Sequence, residues 1–165
     1  MTSPVAMALA RRVITMKACS RPSTAPAAIS ISWGQSEDQW TPQARNAMDS
    51  AFADAVALGI TVIVAAGDNG SGDKDTGGGG THVDFPASSP HALGCGGTTL
   101  HAVGGTVQSE TVWNDGGSGG ATGGGVSDVF PVPTWQSAVG VPQSAAGGVG
   151  RGAVARVDLR RRAPG

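Results

Sequence analysis

The sequence predicts an α/β fold, a mainly parallel β-sheet with flanking helices. Two observations carry that prediction. A short alternating strand, a capped amphipathic helix and a β-branched run follow one another between residues 29 and 66. Strand, helix and strand in that order form a βαβ unit, with parallel strands and a right-handed crossover. The second run is almost wholly apolar, as in strands covered on both faces of a sheet.

Each element has its own local reason. Ile29-Ser30-Ile31-Ser32-Trp33 alternates apolar and small polar side chains and stops at Gly34, the pattern of a short strand entering a turn. Thr41 before Pro42 is an N-cap followed by a proline whose missing N–H costs nothing in a first helical turn. Ala44, Ala47, Met48, Ala51, Phe52, Ala55 and Val56 then recur at helical spacing as one apolar face, and Gly59 ends the helix. Ile60 to Ala66 is the second strand. Both strands finish at one edge of the sheet, where open parallel sheets bind ligands. Position alone therefore nominates Trp33, Gly34, Gly67, Asp68 and Asn69. Asn69 to Gly80 reads as a polar, glycine-rich loop, and Ala92–Cys95 as a third short strand. Thr98–Val103 and Thr106–Glu110 flank Gly104-Gly105 as a hairpin.

Composition narrows the classes. Of 165 residues, 27 are glycine and 10 proline. The glycines cluster and do not recur every third position, which excludes a collagen. No apolar run reaches the roughly 18 residues of a membrane span. Cys19 and Cys95 cannot make a disulfide framework. The formal net charge of −1 conceals a split: residues 1–21 carry +4, residues 22–150 carry −9 and residues 151–165 carry +4. The run Arg160-Arg161-Arg162 beside an acidic body is a poor phosphate binder, so no nucleic-acid partner is expected. Val5–Ala10 precedes Arg11-Arg12 and is too short for a secretory core, so no usable signal peptide is read.

Several chemical patterns fail on inspection. His82, His91 and His101 lack partners at zinc-ligand spacing and read as ordinary surface or satisfied histidines. Gly70-Ser71-Gly72-Asp73-Lys74-Asp75 resembles a calcium loop in part but lacks the full pattern, and reads as a solvated loop. Gly116-Gly117-Ser118-Gly119-Gly120 matches a nucleophile elbow in letters, without the strand and helix that would hold the serine. A fluorophosphonate probe on Ser118 tests that reading.

A set of longer strings is more specific: Ile29-Ser30-Ile31-Ser32-Trp33-Gly34, Val64-Ala65-Ala66-Gly67-Asp68-Asn69-Gly70, His82-Val83-Asp84-Phe85-Pro86-Ala87-Ser88-Ser89-Pro90, Cys95-Gly96-Gly97-Thr98, Trp113-Asn114 and Gly123-Gly124-Gly125-Val126-Ser127. In this order and spacing, residues 29–152 resemble the sedolisin (serine-carboxyl peptidase) family, near its kumamolisin-like members. The resemblance implies a partial subtilisin-like domain and an acid-active serine endopeptidase acting on peptide or protein substrates. It implies that Asp68 is the oxyanion-hole residue, that Trp33 and Gly34 border the substrate cleft, and that Asp84 shapes side-chain specificity. A carboxylate would repel an oxyanion, whereas a protonated Asp68 donates a hydrogen bond to it, so acid conditions suit the role.

The family's other catalytic groups are not found. No Asp or Glu precedes Glu37, and Ser-Gly-Thr-Ser occurs nowhere. The family's calcium ligands belong to a part beyond the resemblance, so no metal or cofactor is expected on these residues. Family members continue from Gly150-Arg151-Gly152 into Pro-Asp, whereas Ala153-Val154-Ala155-Arg156 stands here. Residues 1–28 and 153–165 are therefore expected to be unmatched flanks, the former disordered or mis-started and the latter frameshifted. The family is extracellular. The expected chain is an inactive fragment of a peptidase; the rival is a non-catalytic peptide-binding or regulatory remnant.

Overall fold

The computed structural model describes residues 26–73 and 80–136. The basic tail 153–165, and the N-terminal flank up to residue 25, lie outside the described residues.

In chain order the elements are β1 (Ala28–Ile31), β2 (Gln35–Ser36), α1 (Pro42–Ala57), β3 (Thr61–Ala65), β4 (Asp84–Phe85), β5 (Leu93–Cys95), β6 (Thr98–Val103) and β7 (Thr106–Val112), with short 3-10 turns between. The main sheet has the order β1-β3-β5. Both pairings are parallel, with Ile31 beside Val64 and Ala65 beside Cys95. The predicted βαβ unit and third strand are therefore present, as is the helix between them.

Helix α1 starts and stops where its caps dictate. The Thr41 hydroxyl accepts the Ala44 N–H at 3.3 Å, and Gly59 just past the end has φ +77°, a conformation that costs glycine little. Met48 and Phe52, one turn apart, are the helix's buried side chains. They join Ile31, Val62, Val64, Phe85 and Phe130 in one core cluster. The apolar face is narrower than its sequence spacing implies, because Ala47 and Val56 are exposed. Strand β3 likewise departs from burial on both faces. Val62 and Val64 are 1% and 0% exposed, but Ile63 and Ala65 are only half-buried. A single α-helix flanks the sheet among the described residues, and it covers the Val62 and Val64 side.

Strand β1 ends two residues before Trp33, whose ring leaves the sheet to stack on Trp40 with centroids 6.5 Å apart. A two-residue antiparallel ladder then joins β2 to β4, pairing Ser36 with Asp84 and Gln35 with Phe85. It is too short to leave an alternating pattern in the sequence. The hairpin β6–β7 turns at Gly104 and Gly105, whose φ values of +58° and +80° are those of a type I′ turn. Its second strand runs to Val112, two residues beyond expectation.

Candidate active site

A cleft of about 300 Å³ opens at the carboxyl edge of β1 and β3. Trp33, Gly34, Asp68 and Asp84 all line it, together with Gly67, Asn69 and Asp73. The topological argument for Trp33, Gly34, Gly67, Asp68 and Asn69 thus has a structural counterpart. Asp84 arrives from a separate segment through the β2–β4 ladder.

Trp33 is anchored through a series of rings. It stacks on Trp40, Trp40 meets Phe85 edge-on at 5.0 Å, and Phe85 stacks on Phe130 at 5.9 Å. The cleft's aromatic wall is therefore continuous with the hydrophobic core. Offset and edge-to-face contacts of this kind favour defined ring positions.

Asp84 is 4% exposed, and its carboxyl lies between two glycines. A Cβ on Gly34 would stand 2.5 Å from Asp84 Oδ2, and one on Gly67 would stand 3.2 Å from it. Any side chain at Gly34 collides with the carboxyl, which gives the Trp33-Gly34 string its physical reason. Asp84 Oδ1 is buried and accepts no hydrogen bond among the described residues. Burial, first, and then the charges of Asp73 and Asp68 push its pKa from 3.8 up to about 7, against a lowering contribution from the Phe85 backbone.

Asp68 is exposed at the mouth of the cleft, on the loop leaving β3. Its backbone is held by the segment 121–123. Ala121 N–H donates to the Asp68 carbonyl at 3.0 Å, Gly123 N–H to Gly67 at 2.8 Å, and Gly70 N–H to Ala121 at 2.9 Å. Gly123 allows this approach, since a Cβ there would lie 1.9 Å from the Ala66 carbonyl oxygen.

Two residues escaped the sequence reading. Asp73, read as part of a solvated loop, is 7% exposed and turns into the cleft with φ +41°. Glycine-rich neighbours gave no periodic signal of that burial. Glu37 is 2% exposed and accepts hydrogen bonds from Ser88, Ser127 and Asp128. Its partners lie 51 to 91 residues away in sequence, so no local pattern marks it.

The remaining candidates have ordinary surroundings. His82 Nδ1 pairs with Asp38 at 2.5 Å and His91 Nδ1 with Asp49 at 2.9 Å. Ser118 sits on an exposed turn, with neither a strand directly before it nor a helix directly after it. No three His, Cys, Asp or Glu side chains are grouped to hold a metal ion among the described residues. No helix among them is long and apolar enough to cross a membrane.

Comparison with known proteins gives the family and the fold. The subtilase family profile matches residues 8–146. Kumamolisin from Bacillus sp. (strain MN-32) is 56% identical over 131 residues, covering 79% of this chain and 24% of kumamolisin. Sedolisin from Pseudomonas sp. (strain 101) is 40% identical over 120 residues, covering 67% of this chain and 20% of sedolisin. The solved structure of Pseudomonas sedolisin, a serine-carboxyl proteinase in complex with two molecules of pseudo-iodotyrostatin, superposes with a TM-score of 0.64 at 39% identity. That superposition covers 70% of this chain and 34% of the sedolisin chain. The chain thus spans about a fifth to a quarter of the length of the curated relatives it matches. A subtilisin-like fold and the matched relatives together place this chain in the subtilase family, among the sedolisins or serine-carboxyl peptidases.

Proposed function

We propose that this chain carries the substrate-binding edge of an acid-active serine-carboxyl endopeptidase. The observation that supports the reading is the gathering of Trp33, Gly34, Asp68 and Asp84 in one cleft at the carboxyl edge of a parallel sheet. A peptide lies against Trp33 and over Gly34, with Asp84 facing one of its side chains. The Asp68 carboxyl, in its neutral form, donates a hydrogen bond to the oxygen that becomes negative when the scissile carbonyl is attacked. Donors placed where charge develops stabilise the transition state more than the ground state.

The nucleophile and its carboxyl partners are separate from this edge. The 165 residues contain no Ser-Gly-Thr-Ser, and their first acidic residue is Glu37. Removing a nucleophile or its base removes nearly all turnover, so these residues alone bind peptide without cleaving it. By its family, the enzyme that this edge would serve works outside the cell.

Titration calorimetry at about pH 4, where carboxyls begin to carry protons, tests the reading with pseudo-iodotyrostatin and with a peptide substrate. Binding is expected, and Trp33→Ala should weaken it by about tenfold or more, equivalent to about 1.4 kcal/mol. Absence of binding overturns the cleft assignment. Peptide turnover that disappears in Asp68→Ala overturns the inactivity of these residues alone.

A further inference from the structure

We propose that Glu37 is the positioning residue of the cleft: its buried carboxylate locks three chain segments together and so fixes Asp84 and Trp33 in place. The proposal rests on the peptide-cleft reading for its purpose, but its geometry stands separately. Glu37 follows β2 directly and is 2% exposed, while its partners Ser88 and Ser127 are both 0% exposed. A buried carboxylate is tolerated only where hydrogen bonds replace its water. Ser88 Oγ donates to Glu37 Oε2 at 2.6 Å. The Ser127 hydroxyl lies 2.9 and 2.8 Å from the two carboxylate oxygens, and Asp128 N–H donates to Oε1 at 3.2 Å.

Two routes lead from this carboxylate to the cleft. The first reaches Asp84 from both sides in sequence. Glu37 N–H donates to the Val83 carbonyl at 2.9 Å, and Ser88, held by Oε2, donates its N–H to the Asp84 carbonyl at 3.0 Å. The second reaches Trp33. Ser127 Oγ accepts the N–H groups of Val129 and Phe130 at 3.1 and 2.9 Å, so its one proton must point at Glu37. Phe130 thereby takes its place against Phe85, and the ring series continues through Trp40 to Trp33. A neutral apolar side chain at position 37 would strand both serine hydroxyls and the Asp128 N–H. An amide would keep an acceptor for Ser127 and Asp128, and Ser88 would reverse to accept from its NH2.

The test reads Asp84 directly, with and without peptide. The Asp84 carboxyl carbon is titrated by NMR in the wild type, Glu37→Gln and Glu37→Ala, with circular dichroism of α1 reporting the fold. The carboxyl is faced by Asp73 and Asp68, so its midpoint reports its position relative to them. Glu37→Ala should lower the midpoint by at least about one pH unit, as Asp84 reaches water, and weaken peptide binding about tenfold or more. Glu37→Gln should restore both. A folded Glu37→Ala with an unmoved Asp84 midpoint overturns the proposal. If Glu37→Ala does not fold, Ser127→Ala and Ser88→Ala replace it under the same criterion. A wild type that binds no peptide yet shows the Asp84 shift counts against the peptide-cleft reading and leaves the positioning role standing.

Discussion

Asp84 is where burial and two neighbouring carboxylates, Asp73 and Asp68, all favour the neutral form. The consequence for stability has a definite sign. Below about 3.8 the carboxyl is protonated in folded and unfolded chains alike; between there and about 7 the unfolded chain gives up its proton while the folded chain keeps it. Stability therefore falls as pH rises through that window. Thermal melts across it should show the decline, and Asp84→Asn should flatten it; an unchanged slope in Asp84→Asn refutes the assignment. Gly34→Ala makes a second test at this scale. Its methyl would stand 2.5 Å from Asp84 Oδ2, so the carboxyl must leave its seat. Peptide affinity should fall by about tenfold or more, with the helical circular dichroism retained. Trp33, Gly34 and Asp68 were legible in sequence because strand ends mark the binding edge of a parallel sheet. Asp73 and Glu37 were not, because their burial is created by segments remote from them.

Helix α1 is the element whose sequence and structure agree most closely. Thr41, Pro42 and Gly59 set its ends, and Met48 and Phe52 set its buried strip. Phe52→Ala should destabilise the fold by about 3–5 kcal/mol and Thr41→Ala by about 1 kcal/mol, both measurable by urea unfolding. A Phe52→Ala cost near zero would mean that the helix does not supply the core. The 121–123 segment is the opposite case. It lies between glycine-rich stretches and carries no strand signal, yet its backbone fixes Asp68. Gly123→Ala puts a Cβ 1.9 Å from the Ala66 carbonyl oxygen, so it should detach that segment. Faster amide exchange at Ala121 and at position 123 is the expected readout.

Across the whole molecule, the main sheet has three strands, and both β1 and β5 pair only with β3 among the described residues. Val56, Leu58 and Leu93 are 46%, 71% and 56% exposed. Unpaired strand edges beside apolar side chains template association. Sedimentation of the isolated chain should show self-association that grows with concentration, and Leu58→Lys with Leu93→Lys should reduce it. A concentration-independent monomer would show that these edges are covered. Among the described residues α1 covers one side of β3, and Ile63 and Ala65 on the other side are half-buried, although the apolar sequence suits a sheet with two covered faces.

What the sequence determined by itself is local. Alternation, caps and a β-branched run define a βαβ unit, because each depends on neighbours within a turn or a pleat. The ordered strings define the family and point to Asp68, Trp33 and Asp84. Only the tertiary structure decided how those residues meet. The Asp84 carboxyl rests between Gly34 and Gly67, Asp73 is drawn into the cleft, and Glu37 ties down segments up to 91 residues away. These are contacts between distant segments, and their energies come from excluded volume, lost water and hydrogen bonds that exist only once the chain has closed on itself.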